Sequence, residues 1–277
     1  NARRRTILVF YHNPQTKTVE RLAVARYDFG KNIKAAWDTQ KYPEQWDALI
    51  AIVKQRNPQK IGINTSMHFG HADGLDYTEH QELMQKLPVE FKSRTVSAEP
   101  LAIRWLETRT TREMQFYPQL INATHKIIEE GFSEKVITPG ITTSEDVVWW
   151  FRQKIRDLGY ETWFHPTVDI QRADPTTEGA ERSFAIKPKA DVILPGDLIH
   201  VDIGITYLRL HTDIQQHAYL LKPSETDVPT SIQNAFNKAN RLQDILTTQF
   251  KVGKTGNQIL AGALAQAKKE DITASIY

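Results

Sequence analysis

The feature that most constrains this chain is an alternation running from residue 198 to residue 215. Pro195-Gly196-Asp197 is turn chemistry, and the residues after it change character at every step. Ile199, Val201, Ile203 and Ile205 share one parity, while Leu198, His200, Asp202 and Gly204 share the other. Beyond Tyr207-Leu208 the pattern resumes, with Leu210, Thr212 and Ile214 alternating against His211, Asp213 and Gln215. A period of two describes half-buried strands, so two antiparallel strands folding back on each other are expected. Asp202 and Asp213 are 11 residues apart, and a reversal between Tyr207 and Leu208 would set them directly opposite on one face. Tyr207-Leu208 is not an Asn-Gly turn, and a longer or bulged connection would shift that register.

Directly opposed Cβ atoms lie roughly 4.5–5.5 Å apart, and like charges so placed repel. Two carboxylates that close need a shared proton, a basic neighbour or cations between them. Oxygen ligands on a rigid hairpin suit a hard or borderline divalent metal. The plainer alternative is two surface aspartates on a solvated face.

GDLIHVDIG followed by TDIQQ resembles the GDL-x-x-x-D-x-G and D-I-T-R signature of the pita-bread metallopeptidases, which include aminopeptidase P, prolidase and methionine aminopeptidase. TWFHPTVDIQR, residues 162–172, is similar to the F-x-P-x-V segment that precedes the hairpin in Xaa-Pro aminopeptidases. The resemblance implies a dinuclear centre of divalent ions (Mn, Co or Zn), with Asp202 chelating one metal and Asp213 bridging both. It implies a peptide substrate with proline in the second position, which His165 and His211 are expected to contact. It also implies dimerisation as a family-level expectation.

The length of 277 residues allows one large domain or two ordinary ones, and 40% apolar with 25% charged residues describes a globular protein with a substantial core. A net charge of +2 with scattered basic residues gives no reason to expect a nucleic-acid partner. No apolar run reaches the length of a membrane span. The absence of cysteine excludes disulfides and thiolate metal sites and leaves the compartment, bacterial cytoplasm or periplasm, open.

Residues 1–106 read as a small α/β unit. Strands are expected at 6–11, 21–29, 60–64 and 89–96, with helices at 44–56 and 77–86. In layout this half resembles the creatinase-type N-terminal domain of prolidase and aminopeptidase P, lacking that domain's opening strand and helix. Residues 107–277 then correspond to the α+β pita-bread domain, incomplete at its end. Thr111 to Glu130 forms an amphipathic helix whose stripe is Met114, Tyr117, Ile121, Thr124 and Ile128. Thr142 and Glu145 have capping-box spacing ahead of a helix with Val148, Phe151, Ile155 and Leu158 buried and closed by Gly159. Trp149 and Trp150 are expected as core and interface residues. Helices at 230–250, aligned on Ile232, Phe236, Ala239, Leu242 and Leu246, and at 253–268 complete the reading.

In the resembling family the remaining ligands, a histidine and two glutamates, follow the hairpin. His217 stands too near Asp213 to be that histidine, so the rest of the catalytic set is expected beyond Tyr277 and this chain is expected to be a fragment. Gln215 and Gln216 stand where the motif has threonine and arginine, and Leu210 where it often has tyrosine. The substrate-facing histidine of several members would fall near Ser183-Phe184. The glutamines leave a second reading open: a pita-bread module that binds a peptide or protein without catalysis.

Overall fold

A computed structural model describes residues 5–173 and 191–276. The chain divides into two compact units, Asn1–Arg109 and Thr110–Tyr277.

In the first unit β1 (Leu8–His12) pairs antiparallel with β2 (Val19–Ala23), and β2 pairs parallel with β3 (Lys34–Ala35). Helix α1 (Gln45–Arg56) buries Trp46, Leu49 and Ile50, as its spacing requires, and Asn57 ends it in the left-handed conformation. β4 (Ile61–Ile63) is followed by α2 (Tyr77–Lys86). The strand expected over 89–96 is a helical turn, α3 (Val89–Lys92), and then a short strand, β5 (Thr95–Ser97), parallel to β4. Pro88, with its fixed φ, opens that turn, and Phe91 donates to its carbonyl and packs into the core beside Leu83 and Leu87. The second strand likewise stops at Ala23, since the Asp28 carboxylate accepts from Lys34 and from the Ala35 amide and bends the chain. Helix α4 (Glu99–Glu107) closes the unit.

The second unit opens with α5 (Thr111–Gly131), whose Thr110 and Glu113 make a complete capping box. The buried face of α5 is Leu120, Thr124, Ile127 and Ile128; Met114 and Ile121, expected inside, are 53% and 40% exposed. α6 (Ser144–Asp157) is capped by Thr143 with Asp146, one residue later than the spacing of Thr142 and Glu145 indicated. The Thr142 hydroxyl instead accepts from the Thr138 amide. Val148, Phe151 and Ile155 are buried, Leu158 is exposed, and Gly159 (φ +78) ends the helix in a conformation that costs glycine nothing.

The strands follow. β6 (Glu161–Thr162) pairs with β9 (Ile205–Tyr207), which pairs with β10 (Leu210–His211). β7 (Thr167–Gln171) and β11 (Ile214–Tyr219) flank β8 (Leu198–Ile203), all antiparallel. Ile199, Val201, Ile203 and Ile205 are completely buried and share one core with α5 and α6. The expected alternation is present, and it assigns each strand's faces.

The register differs from the expected one. Tyr207 pairs with Leu210 and Ile203 with Ile214, so the reversal lies between Leu208 and Arg209, one residue later than expected. Leu208 (φ +52) and Arg209 (φ +65) are both left-handed, the signature of a two-residue type I′ turn built without glycine or asparagine. Asp202 therefore pairs with Gln215, and the same register carried one step on sets Asp213 opposite Gly204. The two aspartates are diagonal neighbours, not opposed partners.

Pro195-Gly196 forms the turn before β8, with Gly196 at φ +92 and the Asp197 amide donating to the Leu194 carbonyl. Asp197 is 1% exposed and accepts both arms of Arg172, Nε to Oδ1 at 2.7 Å and Nη2 to Oδ2 at 2.8 Å, as well as the Leu194 amide. That ion pair ties the residue after β7 to the turn leading into β8. The helices α7 (Thr230–Gln249) and α8 (Gly256–Lys269) pack on each other through Ile245, Ala263 and Ala267. Phe236, placed on the buried stripe by its spacing, is 42% exposed.

Two stability outcomes follow from these local arrangements. Arg209→Gly should raise stability by about 1 kcal/mol, because a left-handed non-glycine residue costs about 1–2 kcal/mol, and denaturant melts would register it. Asp197→Ala should lower the second unit's stability by about 3 kcal/mol, the low end for stripping one partner from a buried ion pair, and the same melts measure it.

Candidate metal centre

One face of the β7–β8–β11 sheet is buried; the other carries the polar residues in rows. Thr167, Asp202 and Gln215 lie side by side across the three strands, as do Asp169, His200 and His217. Beyond Asp202 the hairpin continues through Gly204 to Thr206, which pairs with His211.

A short buried hydrogen-bond chain distorts the hairpin where the aspartates meet. The Ile205 amide donates to Thr212 Oγ1 at 3.0 Å instead of to a backbone carbonyl. Thr212 and Thr124 share a bond of 2.9 Å, and Thr124 passes its own proton to the Leu120 carbonyl of α5. This fixes the proton order along the chain: Thr212 donates to Thr124. The carbonyl of Thr212 lies only 2.4 Å from where a Cβ on Gly204 would stand, and the Phe164 ring 2.8 Å from it. No side chain fits there, which is the physical content of the glycine two residues after Asp202.

This arrangement brings the two carboxyl groups together. Asp213 lies within hydrogen-bonding reach of Asp202. Burial first, and Asp213 second, push the Asp202 carboxyl above its ordinary range, while nearby His200 pulls the other way. Asp202 Oδ1 is buried and accepts no hydrogen bond from the described residues. A buried acidic oxygen beside a second carboxylate, with no donor of its own, suits a divalent cation. Asp202 and Asp213 are therefore the residues that fit one. Among the described residues no group of three or more histidine, aspartate or glutamate side chains converges as a metal cage.

The expected substrate histidines lie apart in their contacts. His211 accepts from or donates to Thr206 Oγ1 at 2.9 Å and stacks on Trp163, ring centroids 5.0 Å apart at 20°. Trp163 also lies against Gly204, so this aromatic pair borders the aspartates. His165 takes Arg152 Nη1 on its Nδ1 at 2.6 Å and meets Trp149 edge-on. Trp149, expected as a core or interface residue, is 56% exposed under the Arg152 guanidinium, whereas Trp150 packs against the core. Ser183-Phe184 lie outside the described residues. Sequence reasoning missed Trp163, although an aromatic residue immediately ahead of the F-x-P segment was there to be read. It also missed the His200–His217 pairing, which only the corrected register brings together.

Comparisons with known proteins bear on the family and the fold. The sequence profile of metallopeptidase family M24 matches residues 119–276. No curated protein matches the chain. Among solved structures, the X-Pro aminopeptidase of Thermotoga maritima aligns with a TM-score of 0.58 at 15% identity, over 90% of this chain and 65% of that one. The prolidase of Pyrococcus furiosus aligns at 0.56 and 16%, over 91% and 66%, and proline aminopeptidase P II of Yersinia pestis at 0.59 and 11%, over 96% and 65%. The chain thus spans just under two thirds of these relatives' length and shares their pita-bread fold. With more than half of its residues inside the family profile and its aspartate hairpin folded as described, the chain belongs to metallopeptidase family M24.

Proposed function

We propose that this chain is part of a dinuclear-metal-dependent exopeptidase of the Xaa-Pro aminopeptidase or dipeptidase type. The observation that carries the reading is the Asp202–Asp213 pair, with its buried, undonated oxygen, on one face of the hairpin. The names of the structural relatives, X-Pro aminopeptidase and prolidase, support proline in the second position of the substrate. A zinc-substituted aminopeptidase P of E. coli, bound to product, aligns at a TM-score of 0.56 with 12% identity; it supports divalent ions (Mn, Co or Zn) as the cofactor. Residues 1–106 are assigned to a creatinase-like N-terminal domain and 107–277 to the pita-bread domain.

Asp202 and Asp213 would hold the ions. Ions bound there supply Lewis acidity toward a peptide carbonyl. The protein's own part is to hold two carboxylates together, Asp202 half-buried and Asp213 exposed: Gly204 lets the strands close, and the Thr212–Thr124 chain anchors them to α5. His211, fixed by Thr206 and Trp163, borders the pair and would contact the peptide. His165 spends Nδ1 on Arg152, so its Nε2–H is what it can offer a substrate.

The glutamines favour a second reading. Gln215, in the motif's threonine position, turns its amide oxygen to His200. A module that binds peptides without hydrolysis would tolerate that change.

The 277-residue chain should not turn over Xaa-Pro peptides when supplied with Mn²⁺, Co²⁺ or Zn²⁺, since the described residues offer two carboxylates and not a full ligand set. Measurable hydrolysis by the purified chain would refute this. Mn²⁺, which prefers carboxylate oxygen, should nevertheless raise its melting temperature, and Asp213→Asn should abolish the rise; an unchanged wild-type melt would remove the metal reading.

The raised carboxyl of Asp202 has its own consequence. A folded-state pKa above the unfolded value favours the fold at low pH, where Asp202 is protonated, and that contribution is lost as pH rises through the raised value. At neutral pH the ionised pair therefore burdens the metal-free fold. Asp202→Asn should stabilise it there by roughly 0.2–1 kcal/mol, the general size of a cross-strand side-chain pair interaction. The gain should vanish below about pH 4, where an ordinary carboxyl is itself neutral. Thermal melts across this range measure both limbs.

A further inference from the structure

On the same open face as the aspartates, His200 of β8 and His217 of β11 stand directly opposite each other in register. Their ring centroids are 4.7 Å apart with the planes at 44°. Gln215 Oε1 lies 2.9 Å from His200 Nε2. An amide oxygen only accepts, so Nε2 carries the ring proton and Nδ1 keeps the lone pair. That is the ligating form of imidazole, oriented by a hydrogen bond at the other nitrogen, as ligating histidines generally are. His217 is exposed, so a hydrated ion can reach the pair. Asp169 faces His200 from β7 and adds negative charge to the row.

We propose that His200 and His217 form a two-imidazole site for a single borderline divalent cation, Cu²⁺, Ni²⁺ or Zn²⁺, completed by water and separate from the Asp202–Asp213 pair. Imidazole suits these ions, and Cu²⁺ heads their affinity order, whereas Mn²⁺ and Mg²⁺ prefer carboxylate oxygen. Two imidazoles on facing strands of one rigid sheet act as a chelate, since the backbone has already fixed their separation. The glutamine that replaces the motif's threonine becomes a positioning residue here. It holds His200 in the tautomer that exposes Nδ1.

The test is Cu²⁺ titration of the tag-free chain, followed by calorimetry and by electron paramagnetic resonance, where nitrogen hyperfine structure counts the imidazoles. The wild type should bind one Cu²⁺ with a two-nitrogen signature. His217→Ala and His200→Gln should each weaken binding at least roughly tenfold and lose one nitrogen. The Asp202→Asn/Asp213→Asn double variant should keep both affinity and signature. Far-UV circular dichroism verifies that each variant is folded, and His217→Asn, at an exposed position, serves if His217→Ala is not. A two-nitrogen signal that survives both histidine variants would assign the ion to other histidines and overturn the site. So would binding that disappears only in the aspartate double variant. Neither result bears on peptidase activity, so this site and the peptidase reading stand or fall separately.

Discussion

Burial of one parity of β8 and β9 governs everything else in the second unit. Ile199, Val201, Ile203 and Ile205 have no exposed surface, and each fully buried side chain of this kind is worth roughly 1.5–3 kcal/mol. Because side chains alternate strictly, that burial forces His200, Asp202, Gly204 and Thr206 onto the opposite face. A slip of one residue would exchange the two sets entirely, so register is strongly held. The polar face is thus a consequence of the apolar one.

What the polar face can do is decided by details within that constraint. Diagonal placement would ordinarily keep two aspartates farther apart than opposed placement. They still meet, because Thr212 uses its hydroxyl where a backbone carbonyl would normally serve and Gly204 offers no side chain to keep the strands apart. The result is an acidic pair whose inner member resists ionisation and has a buried oxygen without a donor. In the proposed metal-bound state a cation would relieve both problems.

The places where reading the residues succeeded and failed have a common physical basis. Buried alternation was legible, since Ile, Val and Ile at every second position suit a strand with one face in the core and little else. The helices at 45–56, 77–86 and 111–131 were legible from periodicity. Which stripe of α5 faces inward was not, because Met114-Tyr117-Ile121 and Leu120-Ile127-Ile128 both satisfy a 3.6-residue period; the partner sheet chooses between them, partly through Thr124 and Thr212. The turn at Leu208-Arg209 carries none of the usual turn residues, so the reversal point could not be placed to the residue. The strand expected at 89–96 failed for a local reason, the proline at 88, which opens a helical turn.

The amino-acid order alone determined that a half-buried hairpin would carry Asp202 and Asp213 at a spacing shared with the M24 metallopeptidases, because alternation and spacing are properties of the chain itself. Only the folded molecule decided that the two carboxyl groups meet on a diagonal, that His200 faces His217, and that Trp163 covers His211. Those pairings depend on a register set by left-handed backbone at Leu208 and Arg209 and by a hydrogen bond reaching across to α5. Neither is encoded in any short run of residues.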